Sequence, residues 1–114
     1  HTSYMAPAVD ALASATEGVA HQDPTIPLLS NAEGAVVASG DDALSRLVTQ
    51  VANPVRWDLC MERLLELGVT GILEVAPGGV LTGLAKRAMR GVPSVALKTP
   101  DDLPAARELL EAHA

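Results

Sequence analysis

The stretch from Val69 to Arg87, VTGILEVAPGGVLTGLAKR, limits what this chain can fold into more than any other. Gly71 to Val75 is a short aliphatic and β-branched run, and Ala76-Pro77-Gly78-Gly79 is a cluster of chain breakers. Beyond it Leu81, Leu84, Ala85 and Ala88 recur at helical spacing. The pattern predicts a strand, a tight turn and a helix. A run apolar on both faces suits a strand inside a parallel sheet, and the glycine pair lets the backbone turn into a helix whose N-terminus faces a cleft. Ligands of α/β sheets commonly bind at such ends.

The rest of the chain repeats this alternation. Met5, Val9, Leu12, Thr16 and Val19 lie along one face of a first helix that starts near Pro7 and ends near Gly18. Thr25 to Leu29 reads as a short strand that Pro27 confines to an edge, and Val36-Val37 as a brief second one. Asp41 and Asp42 are expected to cap the next helix, whose stripe is Leu44, Leu47, Val48 and Val51. Asn53 as N-cap and Pro54 at the first position launch a third helix over Val55 to Leu67, stopped by Gly68, with Trp57, Cys60, Met61, Leu64 and Leu67 on its buried side. Gly91 closes the helix of the organising stretch, Val92 to Leu97 is a strand, and Thr99-Pro100-Asp101-Asp102 introduces a last helix. The fold class is α/β with a parallel sheet and right-handed crossovers.

Composition narrows the chemistry. With 114 residues, 48% of them hydrophobic, the chain has material for a core, and with no Phe, one Trp and one Tyr that core is aliphatic. A net charge of −6 argues against a nucleic-acid partner, which needs clustered Lys and Arg against phosphates. No apolar run approaches the roughly 20 residues that span a bilayer, so no membrane role is expected. Cys60 is the single cysteine, lies on an apolar stripe, and suits a reducing compartment; a cytoplasmic setting is expected. No Cys/His cluster has metal-ligand spacing.

Several motifs fail on inspection. Gly78 and Gly83 have P-loop separation, but Leu84 and Ala85 stand where Lys and Ser/Thr are required, and the dinucleotide glycine pattern is also missed. These glycines read as a tight turn. Lys86, Arg87 and Arg90 complement the negative end of their own helix by roughly 0.3–1 kcal/mol each, and they also offer a basic face to an acidic partner protein. No serine sits in a G-x-S-x-G elbow and no carboxylate pair suggests acid-base work.

HTSYM at the start, PLLSN at 27–31, QVANPVRW at 50–57, EVAPGGVLTGLAKR at 74–87 and ALKTPDDL near the end together resemble the malonyl-CoA:acyl-carrier-protein transacylases of bacterial fatty acid synthesis, above all the actinobacterial ones. The likeness runs the length of the chain. It implies that residues 1–114 form the C-terminal part of an α/β-hydrolase-like large subdomain, with the ferredoxin-like small subdomain outside them. It also implies a ping-pong transfer of malonyl from coenzyme A to the phosphopantetheine thiol of acyl carrier protein, with no cofactor beyond the substrate malonyl-CoA. His1 matches the base that activates the family's serine, and Gln50 the residue whose backbone carbonyl orients that base. The serine elbow, the oxyanion segment and the carboxylate-binding arginine precede the matched region, so Arg46 and Arg56 are not assigned that last role. The chain is accordingly expected to need the N-terminal part of the same enzyme as a partner and to be inactive alone. Three other readings are a fragment of a polyketide synthase acyltransferase domain, a non-catalytic interaction module on the same fold, and an unrelated α/β domain with a ligand at Gly78-Gly79.

Overall fold

In the computed structural model, which describes residues 1–75 and 77–113, the chain divides into two compact units, 1–63 and 64–114. In the first, a 3₁₀ turn at Ser3–Met5 runs into helix α1 (Ala6–Thr16), with Pro7 in the first turn where its missing N–H is no loss. Val9, Leu12 and Thr16 are half-buried along the face that packs on helix α2 (Gly40–Gln50). Helix α3 (Trp57–Glu66) contains the boundary between the units.

The expected strands at Thr25–Leu29 and Val36-Val37 shrink to a single antiparallel bridge between Leu29 and Val36. Val37 N–H donates to Leu28 O and Ser30 N–H to Ala35 O, both at 2.8 Å. Pro24 and Pro27 remove two ladder donors, which leaves too few bonds to extend the pairing. The loop between the bridged residues turns at Gly34, with φ +67°, and presses onto α3: a Cβ there would lie 2.6 Å from the carbonyl oxygen of Leu59. Both the backbone angle and the space exclude a side chain.

Capping of α2 also differs from expectation. Ser39 Oγ accepts from Asp42 N–H at 3.2 Å, and Asp23 reaches across the chain to take Gly40 N–H at 2.9 Å. The Asp41 carboxylate is instead bonded to His21 and that of Asp42 to Arg46, which also pairs with Glu33. The stripe of α2 is only partly covered, with Leu44 and Val48 half-buried and Leu47 exposed.

Helix α3 begins at Trp57, two residues later than Val55. The carbonyls of Asn53 and Pro54 are held by the side chain of Gln50, and the first α3 acceptor is Arg56 O, which takes the N–H groups of Leu59 and Cys60. Cys60 and Met61 are buried as expected, whereas Leu67 is exposed.

The second unit is a β–α–β crossover with a helix after it. Strands β1 (Ile72–Glu74) and β2 (Ser94–Ala96) pair in parallel, Leu73 opposite Val95, joined by helix α4 (Val80–Ala88). A reciprocal box caps the following turn: the Asp102 carboxylate accepts from Lys98 and Thr99 N–H at 2.8 and 2.9 Å. Helix α5 (Leu103–His113) then packs on β2. On α4 the buried positions are Thr82 and Ala85, followed by Met89, while Leu81, Leu84 and Ala88 face outward. Of the expected stripe Ala85 is buried, while the other buried positions fall one residue after Leu81 and Ala88. Ala76, part of the breaker cluster, lies outside the described residues.

Because Gly34 is constrained twice, Gly34→Ala is expected to lower stability by more than about 1 kcal/mol in urea unfolding. An unchanged midpoint would refute the close approach to Leu59.

Candidate active site

Two residues 49 positions apart meet at the C-terminal end of α2. The Nδ1 of His1 lies 2.7 Å from the backbone carbonyl oxygen of Gln50. A carbonyl only accepts, so Nδ1 carries the proton and donates it, and in the neutral ring Nε2 keeps its lone pair. His1 is exposed, so that lone pair is open to a reacting group, while Gln50 is buried. The last carbonyls of a helix lack intrahelical donors and carry the negative end of its dipole. Gln50 O therefore has acceptor capacity for the imidazole and favours a positive charge forming on it.

The other sequence candidates are arranged differently. Cys60 is 1% exposed, its Sγ lies 3.4 Å from Ser30 O and 3.8 Å from Asn31 Oδ1, and burial followed by the nearby Asp58 charge pushes the thiol pKa up. Such a thiol is a packing group and a poor nucleophile. His21 donates from both ring nitrogens, to Val19 O and Asp41 Oδ1, each at 2.9 Å, and these acceptors favour the protonated ring and raise its pKa. Arg46 and Arg56 are engaged by carboxylates, Arg56 through Asp58. Lys86, Arg87 and Arg90 are exposed at the end of α4 and just beyond it. Among the described residues no three His, Cys, Asp or Glu side chains are grouped to hold a metal.

Glu74 has a structural role that the sequence reading did not single out. Its carboxylate accepts from the N–H groups of Gly79 (2.8 Å), Thr82 (2.9 Å) and Leu81 (3.0 Å) at the start of α4. Desolvation pushes its pKa up, but the Thr82, Gly79 and Leu81 donors outweigh it and hold the group down to about 2. The helix N-terminus expected to face a ligand is thus occupied by the chain's own carboxylate, and Gly79 at φ +131° makes the turn that delivers its N–H. A ligand at the Gly78-Gly79 turn would compete with Glu74 for the N–H groups of Gly79, Leu81 and Thr82. The available signal was a carboxylate at the end of a strand, five residues before Gly79.

No protein-family model matches the chain. The malonyl CoA-acyl carrier protein transacylase of Mycobacterium tuberculosis is 52% identical over 103 residues, 90% of this chain and 34% of that protein. The chain is homologous to a C-terminal portion of these transacylases. It spans about a third of the length of the curated relatives it matches. The crystal structure of the M. tuberculosis transacylase superposes with a TM-score of 0.85 at 50% identity, covering 92% of this chain and 35% of that one. A second solved structure, a malonyl-transacylase in complex with its type II polyketide acyl-carrier protein, gives 0.83 at 37% identity over 95% of this chain and 35% of that one. The shared transacylase fold is mixed α/β with parallel strand pairing.

Glu74 yields a pH prediction. Its folded pKa, about 2, lies below the ordinary 4.5, so its contribution is complete above pH 4.5 and is lost as pH falls through 2. Thermal melts between these limits should show stability falling with pH, and Glu74→Gln should flatten that slope. An equal slope in the variant would mean that the carboxylate is not the cap.

Proposed function

We propose that His1 is the general base of a malonyl transfer from coenzyme A to an acyl carrier protein, acting in a complete protein whose other residues supply the nucleophilic serine. The observation that carries this is the 2.7 Å contact between His1 Nδ1 and Gln50 O in a chain homologous to malonyl transacylases. With Nδ1–H donated to the carbonyl, Nε2 takes the serine proton as the hydroxyl attacks the malonyl thioester. The coenzyme A thiolate leaves and is protonated by the same nitrogen. In the second half-reaction Nε2 removes a proton from the phosphopantetheine thiol, which attacks the malonyl ester, and the departing serine oxygen takes that proton back from Nε2, restoring the hydroxyl and the neutral ring. Atoms balance without a cofactor, because the thioester brings the activated acyl group.

In a Ser-His-Asp triad a carboxylate fixes the tautomer and offsets the imidazolium charge. Here a neutral carbonyl fixes the tautomer, and the negative end of α2 supplies a partial charge in place of a full one. The carrier is the acceptor partner in this reading, and the exposed Lys86, Arg87 and Arg90 suit an acidic one. A second reading takes a polyketide carrier as the acceptor, on the likeness to the malonyl-transacylase solved with such a carrier.

In the complete protein, His1→Ala is expected to slow acylation by malonyl-CoA by about 10²–10⁴-fold. Wild-type rates in that variant, read by stopped-flow release of coenzyme A, would refute the assignment. The 114-residue chain by itself should transfer no malonyl to carrier protein, and enzyme-dependent turnover from it would show that the nucleophile is not elsewhere.

A further inference from the structure

The carbonyl beside His1 belongs to a residue whose side chain is also at work. The buried amide nitrogen of Gln50 donates to Asn53 O at 3.0 Å and to Pro54 O at 2.9 Å, using both of its N–H bonds. Asn53 answers in the opposite direction. Its side-chain nitrogen donates to Thr49 O at 2.6 Å, and its backbone N–H donates to Gln50 O at 3.1 Å. The two amides thereby cross-link the last turn of α2 to the turn that follows, each holding carbonyls on the other's side.

This arrangement has a consequence for the imidazole. A terminal helix carbonyl is ordinarily solvated and its direction is soft, since helix ends fray. Here the preceding carbonyl, Thr49 O, is taken by a side chain, and one acceptor direction of Gln50 O is taken by Asn53 N–H. The remaining direction faces His1 Nδ1. Pro54 adds rigidity at the far end, because its ring fixes φ.

We propose that the side-chain amides of Gln50 and Asn53 are positioning residues for the acyl-transfer base: they clamp the end of α2 so that the Gln50 carbonyl selects the Nδ1–H tautomer of His1. The role rests on the reading of His1 as the base, but the clamp itself is testable without activity. A side chain of Gln50's length without donors breaks it, and so does an isosteric carboxylate at Asn53, which repels Thr49 O instead of donating to it.

The test is ¹⁵N long-range correlation NMR of the His1 imidazole, selectively labelled in the complete protein, at a pH where the ring is neutral, in the wild type and in the variants Gln50→Met and Asn53→Asp. Wild type should populate chiefly the Nδ1–H form, and each variant should move toward the Nε2–H form that dominates a solvated neutral histidine side chain. Val37→Ala, a truncation of a buried side chain in the same unit, controls for general loosening and should leave the tautomer unchanged. Unchanged spectra in both amide variants, or an equal shift in Val37→Ala, would overturn the proposal. If one amide variant fails to fold, the other decides. In the complete protein the two amide variants should slow acylation by about a hundredfold, the scale of a misplaced reacting group. Should His1→Ala leave transfer intact, the catalytic reading fails while the tautomer shift still reports on the clamp.

Discussion

A helix cannot satisfy its own last carbonyls, and what meets those of α2 organises the first unit of this protein. Thr49 O goes to the Asn53 side chain, and Gln50 O is shared between Asn53 N–H and the His1 ring. The same knot explains local structure at a distance from the imidazole. With Asn53 and Pro54 carbonyls held by the Gln50 amide, helical pairing resumes only at Arg56, and Arg56 N–H is free to bond Asn31 O at 2.7 Å. That bond ties the bridged loop, through Asn31, to the start of α3, where Cys60 packs.

The start of α4 presents the opposite end of a helix and the opposite outcome. Its donors are met by Glu74, which sits at the end of β1 and closes the turn at Gly79 from within the second unit. Both ends obey the same rule that orphan backbone groups must be paired. The difference lies in what does the pairing. A fixed carboxylate takes three N–H groups at the start of α4, whereas an exposed imidazole at α2 donates its proton to the helix's spare acceptor. One end stabilises the fold, and the other fixes the tautomer of an exposed imidazole.

Much of the second unit was legible in the sequence. The aliphatic run before Pro77-Gly78-Gly79, the crossover to Ser94–Ala96 and the Thr99–Asp102 box are local signals, and the structure places β1, α4, β2 and α5 accordingly. The first unit was harder to read. The prolines at 24 and 27 limit pairing further than the edge strand read from Pro27, and Asn53-Pro54 carries the signature of a helix start although Asn53 turns back to α2. Leu81 and Leu84 suggested a buried face on α4, but burial follows Thr82, Ala85 and Met89 because the helix is set by Glu74 and by the sheet beneath it. His1 and Gln50 were identified through family likeness alone. No periodicity links residues 49 positions apart, and the side-chain roles of Gln50, Asn53 and Glu74 depend on hydrogen bonds that only a folded chain reveals.

The central claim is that a helix-terminal carbonyl, in place of a carboxylate, holds the proton of His1 on Nδ1. Neutron diffraction from crystals of the complete protein, exchanged into deuterium oxide at neutral pH, tests it most directly. Deuterium on Nδ1, directed at Gln50 O, with none on Nε2 is the predicted result. Deuterium on Nε2, with Nδ1 bare and turned away from that carbonyl, would contradict the account.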